Sequence, residues 1–174
     1  MKAKVSKMLF RILPMILILT FLTALTVACR GEASKYHAEL YGIGYDDMTA
    51  EFAESNRTYG TYYKDADGET IKDTDSPRTR THIIGNEDEF AAVFINFPAD
   101  VDLEKQMIVM YMSTVSNNRA CRLKKLTLDD GKLEITFKVQ PVKPGIKDTT
   151  MPGTRFIAVV MDKADVESVE FIQK

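Results

Sequence analysis

The sequence predicts an α+β domain: a mainly antiparallel, sandwich-like β-sheet with one packed α-helix. Three observations lead there. The stretch LKKLTLDDGKLEITFKV alternates apolar and polar residues on both sides of Asp130-Gly131, the pattern of a hairpin with one buried and one wet face. One segment alone, GNEDEFAAVFINFP (85–98), carries apolar residues at helical spacing. Strand-like runs stand before and after it, without the regular alternation of a parallel α/β fold.

Three zones precede the domain. Lys2, Lys4, Lys7 and Arg11 are the only charges among residues 1–28, and an apolar run from Ile12 to Ala28 follows them. This is the layout of a secretory signal, a cationic end followed by a segment that enters the bilayer. The run is 17 residues long and interrupted by Pro14, Thr20, Thr23 and Thr26. Those features favour a cleaved signal over a permanent span. The junction LTVACRG resembles a lipobox, in which the residue after the cut is a cysteine that receives a diacylglyceryl group. Cys29 is then the lipid attachment site and Ala28 the last residue removed, although Thr26 stands where leucine is usual and Leu25 lies one place further back. Acyl chains on one cysteine bury enough methylenes, at about 0.8 kcal/mol each, to hold the protein at a membrane. The expected location is the extracytoplasmic face of a bacterial cell membrane.

Residues 29–35 read as a polar tether and residues 36–174 as a single globular domain. Six of the seven tyrosines fall between residues 36 and 63, which suits the half-buried strands of a sheet more than a dedicated stacking surface. In TYYKDADGETIKD, Asp67-Gly68 predicts a tight turn between strands Thr61–Lys64 and Thr70–Lys72. A calcium loop on DADGE fails, because with Gly68 sixth the first position is Tyr63 and the twelfth Thr74. PRTRTHII (77–84) reads as a strand. Its alternation sets Arg78, Arg80 and His82 on one face and Thr79, Thr81 and Ile83 on the other.

The helix starts at Asn86, whose side chain suits a cap, with Glu87, Asp88 and Glu89 at the positive end of the dipole. Phe90, Val93, Phe94 and Phe97 form its packing face, and Pro98 marks its end. QMIVMYM (106–112) and RFIAVVM (155–161) are strands, the second apolar on both faces and therefore central. In the hairpin, Leu133, Ile135, Phe137 and Val139 form the buried face and Lys132, Glu134, Thr136 and Lys138 the wet one. QPVKPGIKDTTMPG (140–153) reads as an exposed loop, and VESVEFIQK supplies a last strand.

Four features from residue 86 onward occur together. They are the helix NEDEFAAVF, an aspartate leading into a strand in VDLEKQMIVMYM, the hairpin at Asp130-Gly131, and a proline before an apolar strand in TTMPGTRFIAVVMDK. In these, residues 86–172 resemble the PrcB C-terminal-like domains of bacterial lipoproteins. The resemblance implies an accessory subunit that supports an extracytoplasmic protease. Such domains usually carry a Gly-Tyr turn after the first strand of this unit, where this chain has TVSNNRA.

The full chain carries 23 basic and 25 acidic residues. Removing residues 1–28 takes away four bases and no acids, leaving 19 against 25 and a net charge of −6. A domain of that charge without a basic cluster is a poor nucleic-acid binder and is repelled by anionic headgroups, so the expected membrane partner is lipid through Cys29. Cys121 reads as a packed strand thiol, since His37 and His82 are the only imidazoles available to activate it. GxSxG, HExxH, Walker and dinucleotide-binding glycine motifs are all missing. The sequence therefore nominates no catalytic residue, cofactor or metal site. Two function classes stand: a non-catalytic binding or accessory module for an envelope protein, and an envelope-acting hydrolase with a dispersed carboxylate site. The first is favoured, with Arg78, Arg80, His82 and the 140–153 loop as expected partner contacts, because spaced arginines can grip carboxylates or phosphates with paired hydrogen bonds.

Overall fold

The computed structural model describes residues 35–115, 119–141 and 152–174. In chain order the elements are β1 (Ala38–Ile43), a 3-10 turn (Tyr45–Asp47), α1 (Ala50–Ser55), β2 (Tyr62–Lys64), β3 (Thr70–Lys72), β4 (Thr79–Ile84) and α2 (Glu87–Val93). β5 (Gln106–Val115), β6 (Cys121–Asp129), β7 (Lys132–Val139), β8 (Gly153–Asp162) and β9 (Ser168–Gln173) complete them.

Two sheets and a separate β2-β3 hairpin result. The larger sheet has the order β1-β8-β5-β4 and is antiparallel throughout. The smaller has the order β6-β7-β9, with β6 antiparallel and β9 parallel to β7. The mainly antiparallel α+β architecture is the one the sequence predicts, and β8 lies inside its sheet as its apolar run requires.

The strand period of two divides the four-stranded sheet into two apolar faces. Ile84, Ile108, Met110, Met112, Phe156, Ala158 and Val160 point to one side and bury Val93, Phe94, Met48 and Ala53 from the helical layer. Met107, Val109, Val159 and Met161 point to the other and pack against Leu126, Leu133 and Ile135 of the smaller sheet. The protein thus has helices on one face of the central sheet and a second sheet on the other.

The Asn86 cap forms as predicted: its side chain accepts from the Glu89 amide at 2.9 Å, and the Glu89 carboxylate accepts from the Gly85 amide at 2.7 Å. The helix is shorter than the apolar spacing predicts, stopping at Val93. Phe94 turns extended, bridges Met48, and the amides of Ile95 and Asn96 bond the Asp47 carbonyl at 2.9 and 3.1 Å. The phenylalanines still converge, with Phe94 5.1 Å from Phe90 and 4.7 Å from Phe97 between ring centres. A second helix, α1, joins the single one expected. Thr49 accepts from the Phe52 amide and donates to the Ala92 carbonyl at 2.8 Å, which ties α1 to the end of α2. Six residues are too few to show a helical period, and the surrounding tyrosines read as strand.

At the β6-β7 turn both Asp130 (φ 46°) and Gly131 (φ 73°) are left-handed, the pair a two-residue type I′ turn needs. Leu133, Ile135 and Phe137 are buried as predicted, but so is Thr136, assigned by alternation to the wet face. In the β2-β3 hairpin only Gly68 is left-handed, at φ 81°. Asp65 closes that wider turn, its carboxylate accepting from the amides of Asp67 and Glu69 at 3.1 and 2.8 Å.

Candidate functional site

The segment from Asn56 to Thr61 leaves α1 and crosses the end of the central sheet. Thr114 and Thr154 are paired across β5 and β8, and Thr58, wholly buried, inserts its hydroxyl beside them at 2.9 and 3.1 Å. Thr61 donates to the Thr58 carbonyl at 2.9 Å. Gly60, at φ 84°, donates its amide to the Asp73 carbonyl at 2.7 Å, and the Tyr59 amide bonds the Pro77 carbonyl at 3.0 Å. A buried hydroxyl cluster and a left-handed glycine therefore fix the backbone from which Tyr59 and Tyr62 project.

These two rings wall a groove of about 520 Å³ whose lining also includes Lys72, Arg78, Tyr111 and Gln173. Arg78 stands over the Tyr59 ring at 5.3 Å. Tyr111 is supported from below by Phe171, stacked at 4.6 Å, and by Phe137 at 5.9 Å. Burial raises the Tyr111 pKa, opposed by its hydrogen bond with Ser113 and by the Arg155 charge, so the ring stays a neutral phenol. Among the described residues the lining contains two cations and no carboxylate, imidazole or thiol. Tyr62 also belongs to a smaller groove of about 360 Å³, with Tyr45, Glu54, Arg57 and Tyr63, where the Arg57 guanidinium lies 3.9 Å from the Tyr63 ring centre.

The sequence-nominated residues separate in the structure. Arg78 precedes β4 and reaches the groove. Arg80 and His82 share one face of β4, as predicted, but turn toward α1. The Arg80 Nε donates to the Arg57 carbonyl at 3.1 Å, and His82 Nε2 lies 2.8 Å from the Asn56 side-chain oxygen. The His82 ring also packs edge-on against Phe52 at 5.2 Å. The tyrosine-rich stretch divides likewise. Tyr36 and Tyr41 pack against the cores, and Tyr59, Tyr62 and Tyr63 line the grooves.

Partial burial of His82 lowers its pKa from the ordinary 6.5, and the Arg80 charge lowers it further. A depressed native pKa means the unfolded chain binds the proton more readily, so this contribution to stability is complete above about 6.5 and is lost as pH falls through the lowered value. Urea midpoints of the wild type and His82→Gln, compared from about pH 7.5 down to about pH 5, are expected to show a shallower loss in the variant. Parallel curves would show that His82 does not contribute.

Cys121 opens β6, half-buried and unbridged, with Sγ 3.7 Å from the Arg119 carbonyl oxygen. Burial raises its pKa, only partly offset by Arg155, which fits a packed thiol and not a thiolate nucleophile. Asp47 accepts from the Gly44 amide at 2.7 Å to close the 3-10 turn. The Asp73 carboxylate accepts from the amides of Asp75 and Ser76 and from the Ser76 hydroxyl. Burial pushes its pKa up, but hydrogen bonds from Ser76 and Asp75 and the Arg57 charge bring it below the ordinary value. Among the described residues, no three His, Cys, Asp or Glu side chains converge to hold a metal, and no helix is long and apolar enough to cross a membrane. Cys29 and residues 142–151 of the predicted loop lie outside the described residues.

No family model, curated protein or solved structure matches this chain. Its function has to be argued from its own residues. Tyr59, Tyr62, Tyr111 and Lys72 were not separable by sequence as groove residues. The tyrosine density of residues 36–63 signalled part of the site, whereas Tyr111 sits in an apolar strand and Lys72 in a polar hairpin.

Proposed function

We propose that this protein is a bacterial lipoprotein held at the extracytoplasmic face of the membrane by a diacylglyceryl group on Cys29, where it acts as a non-catalytic binding or accessory module for an envelope protein. The observation that carries the reading is the groove at Tyr59, Tyr62, Tyr111, Lys72 and Arg78. Its rings and cations are held on a fixed scaffold, and among the described residues its lining offers no carboxylate, imidazole or thiol to serve as a general base. Tyrosine and arginine are the residues that dominate protein recognition energetically. The three-zone N-terminus and the Ala28-Cys29 junction support the anchor. The resemblance of residues 86–172 to accessory subunits supports a protease as one partner.

Intact mass and N-terminal peptide analysis of membrane-extracted protein are expected to show a chain that begins at lipid-modified Cys29. Cys29→Ala is expected to leave the membrane fraction. An unmodified Cys29, or a Cys29→Ala protein retained like the wild type, would sink the anchor. Crosslinking in intact cells followed by pull-down from solubilised membranes is expected to yield one specific envelope protein. Hydrolysis of envelope polymers by the purified protein, abolished by changing one carboxylate, would establish an enzyme instead.

A further inference from the structure

Resting on the binding-module reading, we infer that the partner is engaged through an extended acidic segment, which adds to the edge of β4, unpaired among the described strands, and sets its carboxylates against Lys72 and Arg78. The first observation is electrostatic. Acids outnumber bases in this chain, 25 to 23, yet among the described residues the groove lining holds Lys72 and Arg78 and not one acid. A local reversal of the chain's own charge selects an anionic occupant and rejects cationic ones. The Tyr59 ring beneath Arg78 supports the guanidinium while leaving donors for a carboxylate.

The second observation is independent of charge. β4 is a terminal strand of the four-stranded sheet, six residues long, and its pairing with β5 runs from Thr79 to Ile84 without a register shift. Edge strands are ordinarily protected by a bulge, a proline, charged side chains or a covering helix or loop. β4 has neither bulge nor proline within its span, and its one charged side chain, Arg80, is turned with His82 toward α1, away from the exposed face. Thr79, Thr81 and Ile83, all exposed, occupy the opposite face, and Thr79 also lines the groove. A regular edge strand whose first residue lines a cationic groove matches strand addition: main-chain hydrogen bonds supply affinity, and alternate side chains supply choice. Tyr59 and Tyr62, 39% and 41% exposed, offer ring surface to the apolar side chains of such a segment.

The test titrates the detergent-extracted full chain with a fluorescent peptide alternating glutamate and valine. Controls are the same peptide with lysine for glutamate, the same peptide N-methylated at alternate residues to remove main-chain donors, and an oligogalacturonate of matched charge. The glutamate peptide is expected to bind, with binding weakened at least about tenfold by Lys72→Ala/Arg78→Ala and by N-methylation. The lysine peptide and the oligogalacturonate are expected to bind no better than the double variant does. An unchanged urea midpoint for the double variant excludes misfolding. Absent binding, or binding indifferent to the double variant, overturns the inference. Equal binding of the N-methylated peptide or of oligogalacturonate overturns strand addition and leaves only an anion groove. Capture of the same envelope partner by wild type and double variant in intact cells would overturn this site while leaving the binding-module reading standing.

Discussion

Phe94→Ala is expected to cost about 3 to 5 kcal/mol of unfolding free energy, the range for truncating a buried aromatic. Phe94 is 5% exposed, and its ring is the one from which Phe90 and Phe97 are packed. It also belongs to the layer that covers Ile84, Ile108 and Met110 on the central sheet. The backbone cannot move in to fill the space, because Phe94 is itself bridged to Met48 and its neighbours are bonded to Asp47. A cavity therefore remains, and its cost adds to the lost transfer energy. Urea denaturation of the protein lacking residues 1–28 measures this directly. Phe97→Ala, at a half-buried site, is expected to cost less. Unchanged midpoints for both would show that the helical layer does not hold the fold.

Phe137→Ala is expected to lose a comparable amount, about 3 to 5 kcal/mol, with a second consequence that Phe94→Ala lacks. Phe137 is 1% exposed on β7, beside Tyr111 and Phe171. Tyr111 is a groove residue, so the missing ring removes support from the floor of the candidate site as well as from the space between the sheets. At a urea concentration where both variants remain folded, Phe137→Ala is expected to bind the captured envelope partner more weakly than Phe94→Ala does. The two rings lie in different layers and share no aromatic contact, so their stability costs are expected to add in the double variant. Equal partner binding by both single variants would detach the groove from the Tyr111–Phe137–Phe171 cluster.

The fold was legible where local chemistry and burial agree. Asp130-Gly131 with its alternating flanks could be little other than a type I′ hairpin, and β8 could be placed inside a sheet from its apolar run alone. Asn86 announced its cap. The end of that helix was not legible, because Phe94 leaves it for a bridge with a residue 46 positions away, Met48, which no local period encodes. Thr136 was misassigned for a related reason: its period was right, but tertiary cover reached the face presumed wet. The candidate site was half legible. Arg78 and the tyrosine density were visible, but Tyr111 and Lys72 join them only through strand pairing and the tether of Thr58 to Thr114 and Thr154. Arg80 and His82 had the predicted facing. Their hydrogen bonds to the end of α1 depended on a helix too short to show a period.

The position of β8 also imposes an order of events on the chain. β1 has no sheet neighbour except β8, so Leu40 must wait for Val159. β5, too, lacks one of its two neighbours until β8 is present. The central sheet therefore cannot close during synthesis until β8, at residues 153–162, exists, and its closure spends loop entropy before contacts reward it. Through that interval the β5 run, apolar on both faces, stays open to wrong pairing. Under the proposed export this delay has a use, since a sheet that cannot form before β8 arrives leaves the residues ahead of it threadable while they cross the membrane.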